Sequence, residues 1–242
     1  MTTGVLLVVA TVTAVVAAAL LPALSGPGYL ADVAQHPDQL AAAALLYLVA
    51  AGTSVGVAIA LYPVLKELDA ALALGAVVFR TIEAVFYTVG VVSLLSVLTV
   101  GERLATVPTA GGVPTRALAD SLLSVREHAS LVAVLAFSVG ALMYYAVFLR
   151  SRLVPRWLSG FGIVAVLLLM AACALALFSN SDVTAYKPLA APIFVQELVL
   201  AVWLLVKGFS PPLTGQSAPS PDAAYGVLHG VQVPRKQRPQ DL

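Results

Sequence analysis

The chain has 242 residues, of which 60% are hydrophobic and only 10% are charged, and its formal net charge is +1. Because a soluble domain usually carries about 25% charged residues, this composition argues against a soluble fold. The near-neutral charge, with no basic stripe interleaved with aromatic residues, excludes the usual signature of a nucleic-acid partner.

The apolar residues fall in blocks that are long enough to cross a membrane, which takes roughly 20 residues of α-helix. Helices are expected because lipid cannot hydrogen-bond the backbone, and the alternating pattern of a membrane barrel is absent. We therefore predict an all-α polytopic protein of the cell membrane. Its six transmembrane helices are expected at residues 4–24, 40–65, about 71–100, about 128–149, 157–178 and 189–206.

The first span can be interpreted as a cleaved signal peptide or as a retained helix. No Lys or Arg precedes it, and its apolar stretch is longer than a usual signal-peptide core. These features favour a retained membrane helix.

The links between spans contain residues that are typical of turns and of helix starts. Pro37, at the end of the link "SGPGYLADVAQHPDQ", is expected to open the second helix, and Pro155 is expected just before the fifth. The longest link is "GERLATVPTAGGVPTRALADSLLSVREH", and its second half, after Pro114, has a helical pattern. That half is predicted either to lie on the membrane surface or to extend the fourth span.

The last residues differ from the rest of the chain in composition. They are rich in Pro, Ser, Gly and Gln and contain too few apolar residues to form a core of their own. We predict a six-helix transmembrane domain over residues 1–209 and a disordered cytoplasmic tail over 210–242.

The distribution of basic residues predicts the orientation, because short cytoplasmic loops carry an excess of Lys and Arg. One side of the predicted bundle holds Lys66, Arg150, Arg152, Arg156, Lys207 and the basic residues of the tail, whereas the other holds Arg103, Arg116, Arg126 and Lys187. Both termini are therefore predicted to be cytoplasmic.

Two spans contain ionisable residues at a depth where charges are costly. Arg80 and Glu83 share one face of the third span with Tyr87, because helix residues three and seven apart lie on one stripe. Counted from the cytoplasmic end, Arg80 lies ~13 Å deep and Glu83 ~18 Å deep. Glu197, preceded by Gln196, lies ~15 Å deep in the sixth span. We predict a buried cluster of one arginine and two glutamates.

This cluster has three interpretations. It could only hold two helices together, it could bind a ligand or an ion, as intramembrane charges often do, or it could take part in catalysis. The set predicted to bind a ligand or to form a polar core is Arg80, Glu83, Tyr87, Gln196 and Glu197.

Catalytic and cofactor motifs are missing from the sequence. There is no HExxH, GxSxG, GxxxxGK[ST] or CxxC motif, and the three histidines offer no metal set. We predict no catalytic residues, no metal and no cofactor, and favour a protein that is not an enzyme. The expected partners are the lipid bilayer and a small-molecule or lipid ligand, whereas the oligomeric state is left open. The alternative is a structural or partner-binding membrane subunit.

Three segments carry a resemblance to a known family. They are "VAIALYPVLKELDAALALGAVVFRTIEAVFYTVGVVSLLSVL", "FLRSRLVPRWLSGFG" and "IFVQELVLAVWLLVKGF". Their marks are R-x-x-E at Arg80 and Glu83, "SRLVPRWLS" at 151–159 and QE-x-x-L-A-x-W-L-x-x-K-G at 196–208. Over most of residues 5–209 the chain resembles the domain-of-unknown-function 4386 family of bacterial and archaeal multi-pass membrane proteins. The resemblance implies an integral membrane bundle and no established activity.

Overall fold

The computed structural model describes residues 2–26, 28–106, 113–179 and 183–209, and in these residues the fold is helical with no strand. The helices are α1 Thr2–Leu20, α2 Tyr29–Gln35, α3 Pro37–Leu65, α4 Ala70–Thr106, α5 Val113–Ser151, α6 Arg156–Ser179 and α7 Lys187–Val206. All but α2 are long and apolar enough to cross a membrane. The predicted all-α fold with six membrane-spanning helices is therefore confirmed. The predicted tail, 210–242, lies outside the described residues, and the orientation of the termini stays a prediction.

The six long helices form a closed ring. Each packs on the next in the order α1, α3, α4, α5, α6 and α7, and α7 returns to α1. Each helix therefore turns one face inward, and on α5 that face carries the fully buried rings of Tyr144, Tyr145 and Phe148. The inward faces are the only places in a membrane where polar side chains can avoid lipid.

Two helices of the ring are much longer than a membrane requires. α4 has 37 residues and α5 has 39, which makes them about 55 and 58 Å long, against a hydrocarbon core of about 30 Å. The polar segment after Pro114 therefore extends the fourth span as one continuous helix. Of the two predicted alternatives, the one placing this segment on the membrane surface was wrong.

A small cap joins the ends of α4 and α5 to α2, which lies in a link that the sequence did not predict to contain a helix. Leu30 and Val33 of α2 are buried, and Gly101 of α4 permits their approach, since a Cβ there would lie 3.0 Å from the Leu30 carbonyl oxygen. The Tyr29 hydroxyl donates a hydrogen bond of 2.7 Å to Asp120 of α5. Burial, followed by this hydrogen bond, raises the pKa of Tyr29 above its usual range.

The opposite end of the ring is closed by the link between α5 and α6. Arg152 adopts a left-handed backbone conformation with a φ of 58°, and the next two side chains, Leu153 and Val154, are only 2% and 0% exposed. They join the main apolar core together with Phe148 and Leu204. This end of the bundle therefore has a packed apolar floor. α6 then begins at Arg156, immediately after Pro155, as the sequence predicted.

Candidate functional site

Polar side chains from four helices meet inside the ring at one depth. Counted from the helix end nearest the apolar floor, Arg80 of α4 lies ~15 Å along its helix, Ser54 of α3 ~16 Å and Glu197 of α7 ~14 Å. Tyr144 of α5 lies slightly nearer the floor, at ~10 Å. Arg80 is 3% exposed and Glu83 is 4% exposed, so the site is enclosed by protein near the middle of the predicted membrane.

Arg80 bridges two carboxylates that lie on different helices. Its Nη1 is 3.2 Å from Oε2 of Glu83, and its Nη2 is 3.7 Å from Oε1 of Glu197. The planar guanidinium suits this geometry because its nitrogens diverge in a fixed fork. We call Arg80, Glu83 and Glu197 the Arg80 cluster.

Neutral groups complete the surroundings of the guanidinium. Nη1 donates a hydrogen bond of 2.9 Å to the Ser54 hydroxyl, and that hydroxyl donates one of 3.0 Å to Oε2 of Glu83. Nη2 donates a hydrogen bond of 3.0 Å to the Tyr144 hydroxyl. The Phe137 ring lies against the guanidinium carbon at 4.2 Å, in the range of a cation–π contact. One side chain thus contacts α3, α5 and α7 from α4.

Gly140 brings α5 close enough to α4 for these contacts. A Cβ at this position would lie 3.2 Å from the Cβ of Phe79 and 3.4 Å from the carbonyl oxygen of Ala76. The glycine thus sets the spacing at which Phe137, one turn away, reaches Arg80.

Gln196 lies on α7 at the depth of the cluster and is 0% exposed. Its Oε1 accepts a hydrogen bond from the Tyr145 hydroxyl, and the Tyr145 ring lies in the space above Gly162 of α6, where a Cβ would come within 2.7 Å of it. In the described part of the chain, neither Nε2 of Gln196 nor Nε of Arg80 has a hydrogen-bond partner. Oγ of Ser159 and Nε1 of Trp203 are also buried without a partner in this part of the chain, which makes four such atoms.

Tyr87 lies on the same stripe of α4 but outside the hydrogen-bonded set. It is half-buried and is an electrostatic neighbour of Glu83, Glu197 and Tyr47 of α3. Tyr47, which is also half-buried, is an electrostatic neighbour of Arg126 of α5. Tyr87 thus begins a line of polar groups that leads from the cluster toward the cap.

Glu197 is the most accessible member of the Arg80 cluster. Its side chain is 14% exposed, compared with 3% and 5% for those of Arg80 and Glu83. Thr11 of α1 is an electrostatic neighbour of its carboxyl group. The accessible carboxyl therefore lies where α7 meets α1.

The predicted set omitted several residues that contact Arg80 or Glu197. These are Thr11, Ser54, Phe137 and Tyr144. The sequence offers Ser54 and its neighbour Thr53 equally as polar positions, yet Thr53 bonds the carbonyl oxygen of Val49 on its own helix. Depth, counted along the helix, places both residues at the level of Arg80 and does not separate them.

Among the residues that the structure describes, no group of three His, Cys, Asp or Glu side chains is placed to hold a metal ion. The carboxylates of the cluster are instead occupied by an arginine and hydroxyl groups. The arrangement is therefore suited to ion pairing and hydrogen bonding.

Comparison with protein families identifies the family of the chain. The family described as "Domain of unknown function (DUF4386)" matches residues 2–208, which include all seven helices and the Arg80 cluster. The chain belongs to this family. It matches no curated protein and no solved structure. Since the family description assigns no activity, the function of this multi-pass membrane protein has to be argued from the site.

Proposed function

We propose that this chain is a non-enzymatic protein of the cell membrane that binds or senses a small or lipid-like ligand at the Arg80 cluster. The observation that carries this proposal is that four buried polar side-chain atoms lack a partner in the described residues and that two of them, Nε of Arg80 and Nε2 of Gln196, belong to residues at the depth of the cluster. The other two, Oγ of Ser159 and Nε1 of Trp203, belong to residues close to the floor ends of α6 and α7. Arg80 and Gln196 both lie at the depth of Glu197, the one partly accessible carboxyl of the cluster.

Unfilled donors in an enclosed site destabilise the fold. A buried polar group without a partner costs about 1–3 kcal/mol, and more when it is charged. A network that served only to pack helices is expected to satisfy its members, because a partly satisfied network destabilises the fold. A ligand with acceptor atoms toward Arg80 and Gln196 recovers this energy on binding.

The second candidate function is that of a structural or partner-binding subunit, and one specific feature favours it. Arg80 contacts Ser54, Tyr144 and Glu197, which lie on three other helices. Such a network fixes the register of the ring, which is the best-attested role of buried charges in helical assemblies.

A thermal-shift screen of the purified protein against lipids and small solutes separates the two functions. A ligand present at 100 times its Kd stabilises the folded state by about 2.7 kcal/mol. We expect Gln196→Met to abolish the shift, and the same change at Gln35, which is exposed on α2, to leave it intact. No shift across the panel, together with a stable partner that co-purifies, favours the structural function.

A further inference from the structure

The Arg80 cluster carries more negative than positive charge. Arg80 faces two carboxylates, Glu83 and Glu197, whereas the other groups that contact the guanidinium, Ser54, Tyr144 and Phe137, are neutral. An uncompensated charge at the centre of a membrane helix costs roughly 2.5–3.5 kcal/mol on insertion scales. One added proton makes the cluster neutral.

The two carboxyl groups are not equally suited to carry that proton. Oε2 of Glu83 accepts hydrogen bonds from Ser54 at 3.0 Å and from Arg80 at 3.2 Å, and hydrogen bonds of this kind favour an ionised carboxylate. Glu197 has the longer ion pair, 3.7 Å, and its hydroxyl neighbour Thr11 can accept a hydrogen bond as well as donate one. A protonated carboxyl is therefore better accommodated at Glu197.

The charged and titratable groups around Glu197 come from several helices. They are Arg80, Glu83 and Tyr87 of α4 and Tyr144 and Tyr145 of α5. From α1 the facing group is Thr11, which does not titrate near neutral pH. On α6, Arg156 is the first residue and Cys173 lies ~26 Å along the helix, so neither is at the level of Glu197. Arg80 is thus the single cation facing this carboxyl in the described structure.

The burial of the neighbouring side chains indicates where such a proton enters. Toward the apolar floor, Phe148, Leu153 and Val154 are almost fully buried and have no polar side-chain atom. Ser159 and Trp203 lie near that end too, but their buried polar atoms have no hydrogen-bond partner in the described residues, so they form no connected chain. Toward the cap, the half-buried Tyr87 and Tyr47 continue to Arg126. Tyrosine hydroxyls both donate and accept hydrogen bonds, so these two side chains supply polar atoms between the cluster and the cap.

We infer that Glu197 binds a proton at neutral pH and exchanges it with the cap side of the membrane, past Tyr87 and Tyr47. The inference rests on the proposed function and deepens it, since it assigns the proton as the small ligand of the site. Protonation forms an O–H bond on the Glu197 carboxylate and cancels one negative charge. Release returns the proton to water on the side that carries α2.

Infrared spectroscopy of the full chain in lipid bilayers tests the occupancy. We expect a protonated-carboxyl carbonyl band at neutral pH that is lost in Glu197→Gln. Glu83→Gln is also expected to lose it, because removing the surplus charge lets Glu197 ionise, and the exposed Glu102→Gln is expected to keep it. Glu197→Asp should move the band and Glu83→Asp should leave it in place, which locates the proton on Glu197 in variants that keep a carboxyl group.

Two results overturn the inference: absence of the band in the parent at neutral pH, or its persistence in Glu197→Gln. Either result leaves the proposed function intact if a solute or lipid still gives a thermal shift that depends on Gln196. A band that behaves as expected, with no shift from any solute or lipid, supports the proton as the ligand and contradicts a larger one.

The path is tested by the rate at which the band responds to a pH step. We expect Tyr87→Phe to slow the response several-fold, because it removes a hydroxyl from the cap side. Tyr62→Phe, near the floor end of α3, is the matched control and should leave the rate unchanged. Equal rates in both variants contradict entry from the cap side.

Discussion

Replacing Arg80 by methionine removes the cation of the cluster while keeping a long apolar side chain. The variant loses the ion pairs to Glu83 and Glu197 and the hydrogen bonds to Ser54 and Tyr144. Removing one partner of a buried ion pair typically costs 3–5 kcal/mol, because the other charge stays buried without compensation.

The structure narrows that range for Arg80→Met. If Glu197 is protonated, the stranded carboxylate is that of Glu83, which keeps one hydrogen bond from Ser54. Protonating a carboxylate with a reference pKa of about 4.3 costs about 3.7 kcal/mol at pH 7. Because Glu83 can take up a proton instead of staying charged, this value is the upper limit of the penalty for one stranded charge. We therefore expect the free energy of unfolding to fall by about 3–4 kcal/mol.

Unfolding in mixed micelles, followed by tryptophan fluorescence, measures this loss. The matched control is Arg103→Met, which removes an exposed arginine from the last turn of the same helix and should cost less than about 1 kcal/mol. Combining Arg80→Met with Glu83→Gln should restore part of the stability, because the stranded charge is removed. If Arg80→Met unfolds like the control, Arg80 does not compensate buried carboxylates and the reasoning about the cluster is wrong.

Two further predictions concern the packing of the ring and the cap. Gly162→Ala should destabilise the protein by about 1–3 kcal/mol, because its Cβ would meet the Tyr145 ring at 2.7 Å. The control, Gly160→Ala, has no described atom within 4 Å of its Cβ and should be neutral or stabilising by up to ~1 kcal/mol. Equal thermal unfolding of the two variants contradicts this prediction. Because burial and the Asp120 hydrogen bond raise the pKa of Tyr29, its stabilising contribution is complete below the reference pKa of about 10 and is lost as the pH rises above it. A pH series of unfolding curves should show this decline for the parent and a weaker one for Tyr29→Phe.

Hydropathy was sufficient to predict the six spans because a membrane sets both the length and the composition of a crossing helix. The same regularity made the Arg80 cluster predictable. A constant rise per residue assigns a depth to each side chain, and Arg80 and Glu197 have nearly equal depths. Their side chains lie 3.7 Å apart in the structure.

The sequence did not predict how each helix is rotated about its own axis. Whether a hydroxyl faces the ring interior or the lipid depends on packing against neighbouring helices, so Ser54 could not be distinguished from Thr53. The same limit affected Gly52 and Gly56, whose spacing is typical of close helix contacts. A Cβ added to Gly56 would lie 3.5 Å from the Leu6 side chain, whereas a Cβ added to Gly52 would have no described atom within 4 Å. Gly52 instead lines an exposed groove between α3 and α4.

α4 is long enough to connect the site, near the middle of the predicted membrane, with the water outside it. From Arg80 to Thr106 the helix continues without a break, a distance of ~39 Å. A tilt of about 5° around the level of Arg80 moves the far end by ~3 Å, since a helix of this kind transmits displacement as a rigid body. Because α2 is packed on α4, such a tilt would also displace α2.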